Sequence, residues 1–344
     1  TALLSLSTIN TDKALSSGMV GLLMSYALQV TTSLTWIVRM SVQVETDIVS
    51  VERILEYCNL PPEADAIIEE SRPPKEWPSR GAITFQNYST KYRENLDPVL
   101  KDITVEIKPQ EKIGIVGRTG AGKSTLSLAL FRLLEPSGGS IVIDGIDIAK
   151  LGLSDLRGNL AIIPQDAQAF EGTIKSNLDP FGQYSDEEIW RALELSHLKP
   201  HILKMASEEN TENSETTTET TRSQELLSAK ITENGGNLSI GQRQLLCLSR
   251  ALLNHSKILV LDEATAAVDM ETDKIIQETI KTAFKDRTIL TIAHRIDTVM
   301  DSDKIMVLDK GEVKEFDTPT NLLADKSTIF YNLCEKGGYL KSQN

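Results

Sequence analysis

Ile113-Gly114-Ile115-Val116-Gly117-Arg118-Thr119-Gly120-Ala121-Gly122-Lys123-Ser124-Thr125 sets the reading of the whole chain. A short apolar run suited to a buried strand enters a glycine-rich turn, and a helical pattern opens at Lys123. From Gly117 to Ser124 the stretch fits G-x-x-x-x-G-K-[ST], a phosphate cradle when it stands between a strand and a helix. Glycine lets the backbone turn its N–H groups inward around oxyanions, and the helix N-terminus adds partial positive charge. Lys123 is placed to reach the β- and γ-phosphates of a nucleoside triphosphate, and Ser124 to offer its hydroxyl to Mg²⁺. The residues expected around the phosphates are Gly117, Arg118, Thr119, Gly120, Ala121, Gly122, Lys123, Ser124 and Thr125.

Roughly 140 residues further on, Ile258-Leu259-Val260-Leu261-Asp262-Glu263 is a second apolar run, ending in two carboxylates. Such a pair is common alone and informative after a good phosphate loop. The expectation is a buried strand beside the phosphate-loop strand. Asp262 would hold Mg²⁺ through water, and Glu263 would orient and deprotonate an attacking water. Other β-type runs stand at 83–85, 103–107, 140–143, 160–163, 289–292 and 305–308, with helical stretches between them. This alternation predicts an α/β domain with a largely parallel sheet. The pieces around 185–205 read as an inserted helical subdomain.

Towards the N-terminus the character changes. Residues 14–38 carry no charge and are bracketed by Lys13 and Arg39. At 1.5 Å per residue that run is long enough for a hydrocarbon core of roughly 30 Å. Its many serines and threonines suit a helix packed in a bundle or lining a pathway. A buried helix of a soluble domain is the alternative on this segment alone. Trp36 and Arg39 fit an interfacial anchor, and 42–55 continues as an amphipathic stalk. Pro61, Pro62, Pro73, Pro74 and Pro78 mark a linker with an extended path. Thr1 opens the chain without a methionine or a signal pattern, which reads as a piece of something longer.

The chain of 344 residues is 25% charged and 40% hydrophobic, the balance of a folded protein. A net charge of −13 speaks against a nucleic-acid partner, since no basic stripe exists to release counterions. Cys58, Cys247 and Cys334 lie far apart, and the four histidines are scattered. Neither a disulfide framework nor a cysteine–histidine metal site is implied, which suits a reducing compartment. Residues 206–229, rich in Thr and Glu, lack the apolar content to offset their ordering entropy and read as a disordered surface insertion. The expected organisation is 1–58 as the end of a transmembrane domain, 59–80 as linker, 81–338 as a nucleotide-binding domain and 339–344 as tail.

Leu238-Ser239-Ile240-Gly241-Gln242, heading a helical stretch, resembles the signature sequence of ABC ATPases, usually Leu-Ser-Gly-Gly-Gln. The resemblance implies an α/β P-loop ABC ATPase domain with a mostly parallel sheet core, an antiparallel β part and a helical subdomain, preceded by one transmembrane helix. It implies ATP and Mg²⁺ as cofactors. Ser239, Gly241 and Gln242 would close on ATP held by a partner's phosphate loop. Tyr92 would stack on adenine, with Tyr88 as the candidate if the register differs. Gln165, in Ile162-Ile163-Pro164-Gln165, would touch Mg²⁺ and the coupling helices, and Asp269 would cross the domain interface. His294, in Ile292-Ala293-His294-Arg295, would contact the γ-phosphate. The implied catalytic set is Glu263, His294 and Gln165, and the implied metal set is Ser124, Gln165 and Asp262.

The wording at 114–124, 162–166, 177–181, 260–269 and 291–295 is similar to the second nucleotide-binding domain of the C subfamily, the multidrug-resistance-associated transporters. Residues 190–199 and 284–295 resemble the fungal vacuolar glutathione-conjugate pumps of the yeast cadmium-factor type. Two departures stand out. Ile240 replaces the usual glycine, and a β-branched side chain there should weaken that half-site. The 206–229 stretch is also longer than the family pattern.

The resemblance implies an ATP-driven exporter of glutathione conjugates or related organic anions. Its partners would be the first nucleotide-binding domain and the transmembrane domains of the same polypeptide. The nucleotide-binding domain would be cytosolic, on the vacuolar membrane or else the plasma membrane. A C-subfamily channel or channel regulator is the competing reading, and a soluble ABC ATPase a remoter one.

Overall fold

The computed structural model describes residues 17–209, 226–264, 268–293, 295–337 and 339. It divides into two compact units, Thr1–Glu63 and Ala64–Asn344.

Among the described residues the first unit contains one helix, α1 (Ser17–Cys58), 42 residues long. Its apolar side chains are uncovered: Leu28 is 72% exposed and Trp36 63%. It is long and apolar enough to cross a membrane. The hydroxyls in its apolar part do not compete with the helix. Thr31, Thr32 and Thr35 donate to the carbonyls of Ala27, Leu28 and Thr31, four residues back, at 2.9–3.0 Å. The helix runs unbroken past Arg39 through the charged segment to Cys58.

In the second unit the elements are β1 (Ile83–Thr90), β2 (Leu100–Ile107), β3 (Lys112–Gly117), α2 (Lys123–Leu130), β4 (Pro136–Ile143), β5 (Ile146–Asp147), α3 (Leu153–Arg157) and β6 (Leu160–Ile163). A helical group follows: β7 (Gly172–Thr173), α4 (Ile174–Leu178), α5 (Asp186–Leu195), α6 (Lys199–Glu209) and β8 (Lys230–Ile231). The chain then forms α7 (Ile240–Leu253), β9 (Ile258–Asp262), α8 (Met270–Ala283), β10 (Thr288–Ile292), β11 (Lys304–Asp309), β12 (Glu312–Asp317), α9 (Pro319–Ala324) and α10 (Ile329–Lys336).

A six-stranded sheet has the order β12-β11-β3-β10-β9-β6. All its pairings are parallel except β12, which lies antiparallel on the edge. Its inner strands are near-continuous apolar runs because both faces are covered. An antiparallel sheet, β2-β1-β4-β5, packs over α2 in a core that includes Phe85, Tyr88, Leu126 and Leu130. A second core joins the helical group to α7 and the far side of the sheet.

From Ala64 onward the proline-rich stretch expected as linker belongs to the second unit. Leu153 and Ser154 donate to the carbonyls of Asp65 and Ala66 at 3.0 and 2.9 Å. Trp77 is buried, and its indole N–H donates to the Ile143 carbonyl at 3.0 Å. A short 3₁₀ turn also forms at Glu69–Ser71. The expected insertion at 206–229 lies mostly outside the described residues. At its edges α6 continues to Glu209, and Leu227 and Ala229 are buried in the packed domain.

Candidate nucleotide site

Strand β3 lies between β11 and β10 and ends at Gly117. A Cβ there would sit 2.3 Å from the Leu308 carbonyl oxygen of β11, so the close approach of that strand demands glycine. Gly122, at φ +103°, precedes α2 and brings no capping side chain. The first-turn N–H groups of α2 are thereby left to an acceptor from outside the helix.

Lys123 is 6% exposed, and its Nζ donates to the Gly117 carbonyl at 2.9 Å. The amine is folded back over the turn, where phosphate oxygens could replace that carbonyl. Burial lowers its pKa, while the charges of Glu263 and Asp262 oppose the shift. The cation and both carboxylates therefore share one electrostatic neighbourhood. Arg118, Thr119, Gly120 and Ser124 are exposed around the turn, whereas Ala121 and Thr125 are buried.

Thr125 reaches the loop that follows β1. Its hydroxyl lies 3.1 Å from the hydroxyl of Tyr92, whose ring is 51% exposed. Tyr88 is only 2% exposed and packs edge-on against Phe85 with centroids 6.2 Å apart. Burial raises its phenol to a pKa of about 12. Of the two tyrosines, only Tyr92 offers a face to a base.

Asp262 ends β9, opposite Ile292 of β10. The expectation that β9 lies beside the phosphate-loop strand is corrected here, because β10 is inserted between β3 and β9. Glu263 follows at φ +50°, a left-handed conformation unusual for glutamate, with its N–H donating to the Ile292 carbonyl at 2.9 Å. Such conformations cost on the order of 1–3 kcal/mol and gather at functional turns.

His294 lies outside the described residues. Its neighbour Ala293 donates to the Ile115 carbonyl of β3 at 3.2 Å, and Arg295 stands 3.8 Å from Asp273 of α8. Gln165 is exposed just after β6. Because β3, β10, β9 and β6 are parallel, their C-terminal ends bring Gly117, Ala293, Asp262 and Gln165 to the same edge of the sheet.

Ser239 caps α7. Its hydroxyl accepts from Gln242 N at 3.1 Å, and the Gln242 side chain accepts from Ser239 N at 2.9 Å. The Gln242 amide also lies 3.3 Å from His201. Ile240 is 51% exposed between them. A Cβ on Gly241 would meet Thr272 Oγ1 at 3.2 Å and Asp269 Oδ1 at 3.4 Å. Asp269 itself caps α8, accepting from Thr272 N at 3.0 Å. That contact between Gly241 and the α8 cap was not anticipated from the sequence, which gives no signal linking the two segments.

A glycine turn closed to side chains, a buried lysine and two carboxylates at one sheet edge suit a polyphosphate with its cation. The ABC transporter family model matches residues 100–266, a stretch holding the phosphate loop, the Ser239 segment and the Asp262–Glu263 pair. The chain carries an ABC transporter domain. It is 70% identical over 341 residues to the bile pigment transporter 1 of Saccharomyces cerevisiae, covering 99% of this chain and 22% of that protein. It is 64% identical over 324 residues to the metal resistance protein YCF1 of the same yeast, covering 94% of this chain and 20% of that protein. A solved bacterial Atm1-family ABC exporter with ATP bound superposes with a TM-score of 0.68 at 26% identity, over 94% of this chain and 53% of that one.

The ABC chain here thus spans about a fifth of the length of the curated relatives it matches. Its relatives include a mouse protein named as a member of sub-family C, and the domain it carries is an ABC nucleotide-binding, ATPase domain.

Proposed function

We propose that this chain is the second nucleotide-binding domain, with the last membrane helix, of an ATP-driven exporter, and that Glu263 is its hydrolytic base. The observation that carries the reading is that the parallel strands β3 and β9 end at one edge of the sheet, which sets the Gly117 turn and the buried Lys123 on the same side as Asp262 and Glu263. In this reading Gly117 to Thr125 surround the phosphates and Tyr92 stacks on the adenine. Ser124, Gln165 and Asp262 would hold Mg²⁺, which neutralises phosphate charge when bound. Glu263, held in its turn by Ile292, would orient and deprotonate water, and His294 would complete the γ-phosphate side.

Ser239, Gly241 and Gln242 would face a nucleotide on the first nucleotide-binding domain of the same polypeptide. The hydrolytically competent site is then the one built on Glu263, closed by the first domain's signature, while Ile240 weakens the other. Binding would close the two domains and move α1 with the remaining membrane helices, and hydrolysis would reopen them. The cargo proposed is glutathione conjugates or related organic anions. The membrane proposed is the vacuolar one, with the nucleotide-binding domain on the cytosolic, ATP-containing side. The fungal wording of residues 190–199 and 284–295 supports both, and the name of a 64% identical relative, a metal resistance protein, is compatible with carriage of metal–glutathione complexes.

The test is ATP-dependent uptake of a glutathione conjugate into vesicles carrying the full-length parent, native against Glu263→Gln. Uptake in the native protein that disappears in the variant, with ATP binding retained, is expected. Uptake that survives Glu263→Gln would move the hydrolytic site elsewhere. ATP binding without uptake would favour a channel regulator or another cargo.

A further inference from the structure

A cavity of about 490 Å³ lies between α5, the C-terminal end of α7 and the C-terminal end of α8. Among the described residues its lining includes none of the nucleotide site, and its size falls within the roughly 300–1,000 Å³ of small-molecule sites. One wall is apolar, made by Ala192, Leu195, Leu252, Leu253 and Ala283. Tyr184 and His255, with ring centroids 6.4 Å apart, give it an aromatic side.

The polar groups are asymmetric. Arg287 is half-buried, with its guanidinium 4.7 Å over the Phe284 ring. One N–H donates to the Ala251 carbonyl at 3.1 Å, which leaves most of its five donors without a protein acceptor among the described residues. Burial pulls its pKa down, the mark of a cation lacking a compensating anion. Among the described residues neither Arg287 nor Arg191 forms an ion pair. Glu188 is the one acid in the lining, and it is already engaged. Its Oε2 accepts from Ser185 N and Oγ at 2.8 and 2.9 Å, and these bonds hold its pKa below the usual glutamate value. Two guanidiniums with no ion pair among the described residues therefore stand at the edge of an apolar hollow. A planar fork with free donors is best satisfied by a bidentate oxyanion.

We infer that this cavity is a second binding site, separate from the nucleotide site, for a small organic anion with a flat apolar body. The anionic group would lie between Arg191 and Arg287, and the apolar body against Leu195, Leu252 and the Tyr184–His255 side. Such a ligand bridges the helical group to the core helices α7 and α8.

The test uses the full chain in lipid nanodiscs, titrated calorimetrically with 2-naphthalenesulfonate against empty nanodiscs. One-to-one saturable binding is expected, unaffected by saturating ATP. Arg191→Gln and Arg287→Gln should each weaken it about tenfold, and Arg287→Lys should weaken it less than Arg287→Gln. Arg191 is exposed, so its variant leaves the fold intact and keeps the test interpretable if Arg287→Gln misfolds. Heat no greater than the blank, equal binding by the arginine variants, or displacement by ATP would overturn the inference. So would inorganic sulfate competing as strongly as the naphthalene compound, since the apolar wall would then contribute nothing.

Discussion

Tyr92 and Tyr88 stand four positions apart in one segment and meet opposite environments, one half-exposed and the other sealed in the core. If Tyr92 stacks on adenine, the contact belongs to the ring face and not to the hydroxyl. Tyr92→Ala should therefore weaken ATP binding by about 1–3 kcal/mol, in line with base–aromatic stacking. Tyr92→Phe should stay within about twofold, because it gives up only the hydrogen bond to Thr125. Calorimetric titration with ATP measures both, and equal losses in the two variants would remove the stacking role. Glu263 offers a second test. Its φ of +50° favours glycine whatever the side chain does. Glu263→Gly and Glu263→Ala both delete the carboxylate and should both abolish hydrolysis. The glycine variant should nevertheless be more stable than the alanine variant by about 0.5–1 kcal/mol in urea unfolding. Equal stabilities would mean that the turn relaxes in the variants and is not imposed by its surroundings.

The turn between β4 and β5 shows how an element boundary is held. Burial pushes the Asp144 carboxyl up, but N–H donors from Gly81, Arg80 and Ala82, at 2.8–3.0 Å, more than reverse this and leave its pKa depressed. A depressed folded-state pKa stabilises above the unfolded value of about 3.9, and the gain is lost as pH falls through the lower folded value. Asp144→Asn should cost about 1–2 kcal/mol at pH 7, kept modest by partial exposure. Its deficit against the native chain should shrink below about pH 4, and a deficit independent of pH would show that the charge is not what anchors residues 80–82. The same region marks the limit of what the sequence tells. The strand character of 83–85, 112–116 and 258–261 is legible from apolar runs and flanking glycines. That Trp77 would pin the proline-rich stretch onto β4 is not, since proline spacing reports an extended path and not what the path lies against. Nor could the placement of β10 between β3 and β9 be read locally, because strand order depends on crossovers that leave no periodic mark. The signature segment was recognisable by its wording, while its packing against the Asp269 cap needed the fold.

At the scale of the molecule the proposed chemistry is divided between chains or domains. The Gly117 turn and Glu263 sit at the sheet edge, whereas the described contacts of the Ser239–Gln242 segment run to α8 and α6. In the proposed arrangement each segment is completed only by a partner domain. Ile240, 51% exposed, would then present a β-branched side chain to the partner's nucleotide and not to its own. Supplied alone, this chain should turn ATP over slowly. Adding the first nucleotide-binding domain of the same parent should raise its specific activity at least about tenfold, or roughly 1.4 kcal/mol of barrier. The gain should vanish with Glu263→Gln here, because that variant removes the base from the competent site. It should survive Ile240→Gly, since Ile240 belongs to the other site, and that replacement should add turnover only if the first domain retains a base of its own. Steady-state phosphate release over a titration of the two domains reads all three outcomes. Fast turnover by this chain alone would show that a single chain, or a pair of identical ones, completes the site. Loss of the gain on replacing Ile240 would place its signature at the competent site and reverse the proposed division of labour.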